Sequence, residues 1–350
     1  MPDTSPVLIE QRGQIGHLTL NRPAGLNALN LEMVRLLHRQ LLAWAEDSTI
    51  RAVVLRGAGE RAFCAGGDIR STYDSYLAGH ADAADAFFSE EYALDACLHA
   101  YPKPVLAIMD GFILGGGMGL GQGSSIRVIT ERSRLGMPET AIGYFPDVGG
   151  SYFLSRLPGE LGTYLGVTGQ HIGAADALYV GLADHCLDSS QLASLEQLLD
   201  QFDGYDSSLQ EQISQLPACD LPAPELASQK PAIDLHFSQP NIAAIRASLA
   251  SEQRPEMVDW AQRTLDIIES RSPLAMAVTL ELLRRGRALP LADCFALELH
   301  LGRQWFEKGN IMEGVRALLV DKDKQPRWQP AHIDQLDPAA IAALFAGFER

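Results

Sequence analysis

Positive charge, cysteine and long apolar stretches are all scarce in this sequence. Its 28 Lys and Arg face 44 Asp and Glu, for a formal net charge of −16. A field of that sign repels nucleic acid and anionic membrane, so neither is expected as a partner. It also repels anionic small molecules at long range, so a site for one needs local positive charge. The five cysteines, Cys64, Cys97, Cys186, Cys219 and Cys294, are odd in number and far apart. That argues against a disulfide framework or a cysteine-based metal site and fits a reducing compartment. The nine histidines, His17, His171 and His185 among them, show no metal-ligand spacing, so no metal is expected. No run of about 18 apolar residues occurs, so no membrane span is expected. Met1–Glu10 has neither a basic region, an apolar core nor the Arg-rich look of a transit peptide. The cytoplasm is therefore the expected compartment. Internal repeats and redox-cofactor motifs are also missing.

What is present is an ordinary globular composition. Of 350 residues, 47% are hydrophobic and 21% charged, enough for a large core in one domain or two. Val7–Glu10 and Gly16–Leu20 read as a strand pair around Arg12-Gly13. Asn30 is placed to cap a helix over Leu31–Glu46, where Val34, Leu37, Leu41 and Ala45 recur at helical spacing. Ala52–Leu55 is a short apolar run suited to a strand covered on both faces. A loop, a helix over Ala83–Ala100, a strand over Pro104–Met109, a glycine cluster, a short helix and a strand over Ile126–Thr130 follow. This alternation predicts an α/β fold.

Beyond it, Leu187–Pro231 loses periodicity and gathers Ser, Gln, Pro and Asp, which predicts a loop-rich connector with one short helix. After Pro255 the pattern is helical only. Ser272-Pro273 opens one helix and Gly286 ends it, and others are expected over Leu291–Glu307 and Met312–Val320. The expected division is a core over 1–200, the connector over 201–254 and a helical region over 255–350.

Three stretches carry chemistry. In Phe63-Cys64-Ala65-Gly66-Gly67-Asp68, paired glycines after a strand let backbone N–H groups approach a carbonyl oxygen; the alternative is a tight turn with no ligand. Cys64, beside apolar Phe63 and Ala65, is expected to be a packed thiol and not a nucleophile. Gly115-Gly116-Gly117-Met118-Gly119 follows a strand and opens a helix, whose free N–H groups and partial positive charge suit an oxyanion; close helix packing is the alternative. The pattern is neither a P-loop nor a dinucleotide fingerprint. In Met137–Gly150, Glu139 and Asp147 bracket an apolar loop holding Ala141, Ile142, Tyr144, Phe145 and Pro146. Desolvation there raises a carboxylate's pKa and its use as base or nucleophile, and two nearby acids split their roles. Taken singly, either acid would more often be a cap or a salt-bridge partner.

Together these stretches resemble the crotonase superfamily of enoyl-CoA hydratases and isomerases. The resemblance implies a spiral of ββα units with a helical C-terminal region and an acyl-CoA substrate. It implies an oxyanion hole from the amides of Gly67 and Gly116, and a CoA site near Ala65, Asp68 and Arg70, the last supplying the local positive charge. Phe63–Arg70, Glu90-Glu91-Tyr92, Met137–Gly150, Glu313–Ala317, Asp321-Lys322-Asp323 and Trp328 are most similar to the 3-hydroxyisobutyryl-CoA hydrolase branch. That branch implies Glu139 as the principal catalytic carboxylate and Asp147 as the second, with Glu91, Gly116, Glu139 and Asp147 around the acyl group. Glu91 as a solvated helix residue is the alternative.

Hydratases of the superfamily carry a second glutamate two residues after the glycine triplet, where this chain has Gly119. Glycine cannot do acid–base work, so thioester hydrolysis of a short 3-hydroxyacyl-CoA, a step of valine degradation, is the expected reaction. 3-Hydroxypropionyl is a second acyl candidate. An enoyl-CoA isomerase or hydratase is the rival enzyme, and a non-catalytic crotonase-fold binding protein the rival of another class. No cofactor is expected, since CoA enters as part of the substrate. A trimer, a pair of trimers or a monomer are all compatible with the resemblance.

Overall fold

Ala52–Leu55 is apolar at every position and buried on both faces of its strand, and this sets the layers of the N-terminal part. The structure is a computed structural model that describes residues 5–203 and 208–348. The chain divides into two units, each assembled from three segments. One takes Met1–Asp68, Ser89–Leu135 and Ile172–Pro224; the other takes Ile69–Phe88, Gly136–His171 and Glu225–Arg350.

The first unit is built on a six-stranded sheet of β1 (Val7–Arg12), β2 (Ile15–Leu20), β3 (Ala52–Gly57), β5 (Val105–Met109), β7 (Ile126–Ile129) and β9 (His185–Cys186), in the order β1-β2-β3-β5-β7-β9. Only the β1–β2 hairpin is antiparallel; β2–β3, β3–β5, β5–β7 and β7–β9 run parallel. β4 (Ala62–Cys64), β6 (Phe112–Leu114) and β8 (Arg134–Gly136) form a second sheet. Successive strand residues point to opposite faces. Ala52 and Val54 join Leu106, Ile108, Ile126 and Val128 in one apolar layer, while Val53 and Leu55 pack with Leu37, Leu41, Leu94, Leu98 and Leu120 on the other side. The strand covered on both faces is therefore as expected.

The layer under Val54 is closed by Leu195, Leu199, Phe202, Leu209 and Ile213. These lie in and beside helices Leu192–Gln201 and Leu209–Ser214, within the stretch predicted to be a loop-rich connector with one short helix. The 201–254 region holds further helices, Glu225–Phe237 and Ile242–Ala250. Polar residues and prolines between and within them hid the helical pattern, Pro231 inside Glu225–Phe237 among them. Two of their starts rest on side-chain caps, the Ser208–Glu211 capping box and Asn241. The helix Ile69–Leu77 falls where the sequence predicts a loop; Thr72 is its only buried residue, so it shows little apolar periodicity.

The cysteine expectation needs correction too. Cys186 and Cys219 form a disulfide, with Cα atoms 5.5 Å apart. The bridge Leu187↔Ala218 and the hydrogen bond from Cys219 N–H to Cys186 C=O bring the two into register. A separation of 33 residues gave no hint of this.

The second unit is helical. Its helix Pro273–Gly286 starts and stops where Ser272-Pro273 and Gly286 predicted, with Ser272 accepting from Ala275 N–H. Ten of its residues are buried, so it is a helix packed on most sides. No described helix is long and apolar enough to cross a membrane.

Candidate active site

In the first unit, the chain leaves β4 through Ala65-Gly66-Gly67 and leaves β6 through Gly115 into the helix Gly116–Gly123. The two turns touch. A Cβ on Gly117 would stand 2.2 Å from Cys64 O, which leaves no space for a side chain, and one on Gly66 would meet Leu114 O closely, at 3.3 Å. Gly66 (φ 104°) and Gly115 (φ 50°) also need left-handed backbone. The strand-like bonds Leu29 N–H to Gly66 O and Asp68 N–H to Leu29 O hold the first turn open around Gly67. Gly116, the first residue of its helix, has an amide that the helix itself does not use. A Cβ at Gly116 would lie 3.5 Å from Gly67 N, so the two expected oxyanion donors are neighbours.

Beneath them lies Glu91. It is 2% exposed, which overturns the alternative of a solvated helix residue. The Gly116 Cβ position is 2.4 Å from its Oε1. One turn on, Asp95 is fully buried, a second carboxylate on the same face that the sequence reading missed. Its signal was the i, i+4 spacing from Glu91, set among Leu94 and Leu98. Cys64 is a packed thiol as expected: burial pushes it up to about 12, and the charges of Glu91 and Asp95 add to the rise. Ala65 and Gly67 stay partly exposed. Asp68 is bound by Arg22 (2.9 Å), which also donates to Ala28 O.

The second unit carries the two expected catalytic carboxylates, both buried: Glu139 is 7% exposed and Asp147 5%. Glu139 opens a 3-10 turn, Glu139–Ile142, that ends at left-handed Gly143. Three bonds fix this turn. Thr140 Oγ1 donates to Val167 O, Ser272 N–H donates to Thr140 O, and Trp305 Nε1 donates to Gly143 O at 2.7 Å. An aromatic wall follows: Tyr144 stacks on Phe145 (centroids 4.3 Å) and on Phe88 (5.7 Å), and Phe145 meets Trp305 edge-on. These are the greasy side chains that the loop composition promised.

After Asp147 the backbone turns through two left-handed residues, Val148 (φ 49°) and Gly149 (φ 83°), with Gly150 N–H donating to Asp147 O. A β-branched residue at positive φ is strained by about 1–3 kcal/mol. Glu298, on the helix Leu291–Lys308, accepts from Gly149 N–H (2.8 Å), Ser151 N–H (2.9 Å) and the Ser151 hydroxyl. Burial pushes Glu298 up to about 8, with the charge of Asp147 adding to the rise and its hydrogen bonds opposing it. The sequence reading missed Glu298, which lies 149 residues from Gly149.

Arg70 sits exposed on the helix Ile69–Leu77, paired with Asp74 (2.9 Å) and donating to Leu319 O. The structure thus brings Gly67, Gly116 and Glu91 together in one unit, and Glu139 and Asp147 into one loop of the other.

The family model for enoyl-CoA hydratase/isomerase matches residues 15–345. A mitochondrial 3-hydroxyisobutyryl-CoA hydrolase of Gallus gallus is 37% identical, over 97% of this chain and 88% of its own length. The 3-hydroxyisobutyryl-CoA hydrolase 1 of Arabidopsis thaliana is 36% identical, over 100% and 94%. Among solved structures, a carnitinyl-CoA dehydratase from Mycobacterium thermoresistibile superposes with a TM-score of 0.90 at 38% identity, covering 98% of this chain and 97% of its own. An enoyl-CoA hydratase from Rhodobacter sphaeroides 2.4.1 does so with a TM-score of 0.89 at 36% identity, with the same coverages.

Proposed function

The chain belongs to the enoyl-CoA hydratase/isomerase family, and from that premise we propose that it hydrolyses the thioester of 3-hydroxyisobutyryl-CoA to the free acid and CoA, in valine degradation. Relatives named for that hydrolase match it at 36–37% identity over 88% or more of their own length. The observation that carries the choice within the family is Gly119. It is a buried helix residue with no side chain, where hydration would need a second acid. The solved relatives named as hydratase and dehydratase keep an enoyl-CoA reaction as the second reading.

The roles follow from chemistry. The amides of Gly67 and Gly116 donate to the thioester carbonyl oxygen and stabilise the oxyanion that forms on attack. Glu139 either attacks the carbonyl carbon, expelling CoA thiolate and leaving a mixed anhydride that water cleaves, or takes a proton from water that attacks directly. Asp147 binds the substrate hydroxyl or hands a proton to the departing thiolate. Glu91, buried under Gly116, supports the acyl end. Ala65, Asp68 and Arg70 lie toward the CoA moiety. No cofactor takes part.

The test is incubation with 3-hydroxyisobutyryl-CoA and, separately, crotonyl-CoA, following free thiol and the enoyl absorbance. Thiol release from the first is the expected result. Loss of the enoyl absorbance without thiol release would assign hydration or isomerisation instead, and no turnover of either would favour a binding protein.

A further inference from the structure

One helix grips both ends of the loop that carries Glu139 and Asp147. On Leu291–Lys308, Glu298, Gly302 and Trp305 fall at i, i+4 and i+7, which is one face. Trp305 Nε1 holds Gly143 O, just past Glu139. Gly302 leaves room for the Tyr144 hydroxyl, which a Cβ there would meet at 2.9 Å. Glu298 holds the amides of Gly149 and Ser151, just past Asp147.

We propose that Glu298 is a positioning residue: by accepting from both amides of the turn after Asp147, it fixes the direction of the Asp147 carboxylate. The function of that carboxylate rests on the hydrolase reading; the geometry of the turn does not.

Three observations support the assignment. First, the turn is strained at Val148, and a strained turn persists only when its surroundings over-determine it. The bonds that Glu298 accepts do this, because they fix the amides of Gly149 and Ser151 on one side chain. Second, Glu298 is fully buried. Burying a carboxylate is costly, and an apolar side chain of similar size would fill the space at lower cost if packing were the only need. Third, both oxygens are engaged, Oε2 by Gly149 and Oε1 by Ser151, so the carboxylate is a two-point clamp. Burial raises the proton affinity of Glu298, and the neighbouring charge of Asp147 adds to the rise.

The experiment is a double-mutant cycle between Glu298→Gln and Asp147→Asn, read by kcat/KM for thiol release and by hydrogen exchange over residues 147–153. Glutamine keeps the shape but offers an N–H group where an acceptor is needed. Glu298→Gln is expected to lower kcat/KM by about 10- to 100-fold, and the double variant to be no slower than Asp147→Asn alone. Exchange over 147–153 should quicken while that of the helix Leu291–Lys308 stays unchanged. Ser151→Ala, which removes one donor and keeps Glu298, should act in the same direction with a smaller loss. Full additivity with Asp147→Asn, or an unchanged rate, would overturn the proposal. If the wild-type protein releases no thiol, the hydrolase reading fails, and exchange alone decides: quickening over 147–153 upholds Glu298 as the clamp, and unchanged exchange overturns it.

Discussion

Gly116 and Glu91 share a space that has no room for a methyl group: a Cβ on the glycine would stand 2.4 Å from the Glu91 Oε1. Gly116→Ala therefore either pushes the buried carboxylate aside or shifts the helix start that carries the amide. Losing one oxyanion donor typically costs 10²- to 10³-fold in kcat, or about 3–4 kcal/mol. A loss of about that size in steady-state thiol release is expected, together with a lower Tm from the overpacking, about 1–3 kcal/mol. An unchanged kcat would count against the proposal that Gly116 is an oxyanion donor.

Glu139→Ala should abolish thiol release above background, a fall of about 10³-fold or more. Glu139 also distinguishes the two routes. In a single turnover in isotopically labelled water, label recovered in Glu139 indicates the anhydride. Label found only in the released acid indicates direct attack by water.

Much of the site could be read from the sequence because its parts are local. Glycine doublets and triplets report backbone positions where no side chain fits, and Gly66 and Gly117 meet backbone oxygens as that reading requires. Glu139 and Asp147 stood out as the acids of an otherwise uncharged loop. Helix starts at Asn30 and Ser272 were visible because a cap is a three-residue event. Long-range partners were not visible. Glu298 looks like one more acid on an amphipathic helix until the fold brings Gly149 and Ser151 against it. The helices Leu192–Gln201 and Leu209–Ser214 were hidden for a related reason: their apolar residues complete a layer begun by Ala52, Val54 and Leu106, far away in the chain.

Two buried groups shape the dependence of stability on pH, with opposite signs. His17, between β1 and β3, accepts at Nδ1 from Arg12 (2.8 Å) and Arg56 (3.0 Å). Burial and then these two cations lower it from 6.5 to about 3. It is neutral when folded and protonates when unfolded, so stability is lost as pH falls from 6.5 toward 3. Glu298 is raised from 4.5 to about 8, so the folded state holds a proton that the unfolded state releases. Its contribution falls as pH rises from 4.5 to about 8. Each is worth a few kcal/mol, on the order of 1.4 per pH unit at most. Thermal unfolding from pH 4 to 9 should show a broad maximum. Glu298→Gln should flatten its alkaline side and His17→Gln its acid side. An unaltered profile in either variant would count against the corresponding group.

The Cys186–Cys219 bond closes a span of 33 residues over the helices that cover one face of the sheet. Loop-closure entropy assigns such a bond about 3–4 kcal/mol. Cys219→Ser should lower Tm by several degrees under non-reducing conditions and leave kcat unchanged. Equal Tm values for the two proteins would mean that the cysteines are reduced in solution.

Each of the two units is made from three separated stretches of chain, and those stretches alternate. A ribosome releases them in order, so the first unit waits for residue 224 before its last piece has emerged, while 136–171 is already outside with most of its own unit still unmade. The nascent chain thus carries the Glu139–Asp147 loop, with its exposed aromatic side chains, for about 150 residues of synthesis before the helix bearing Glu298 and Trp305 arrives to hold it. The order of synthesis places the loop well before the helix that holds it.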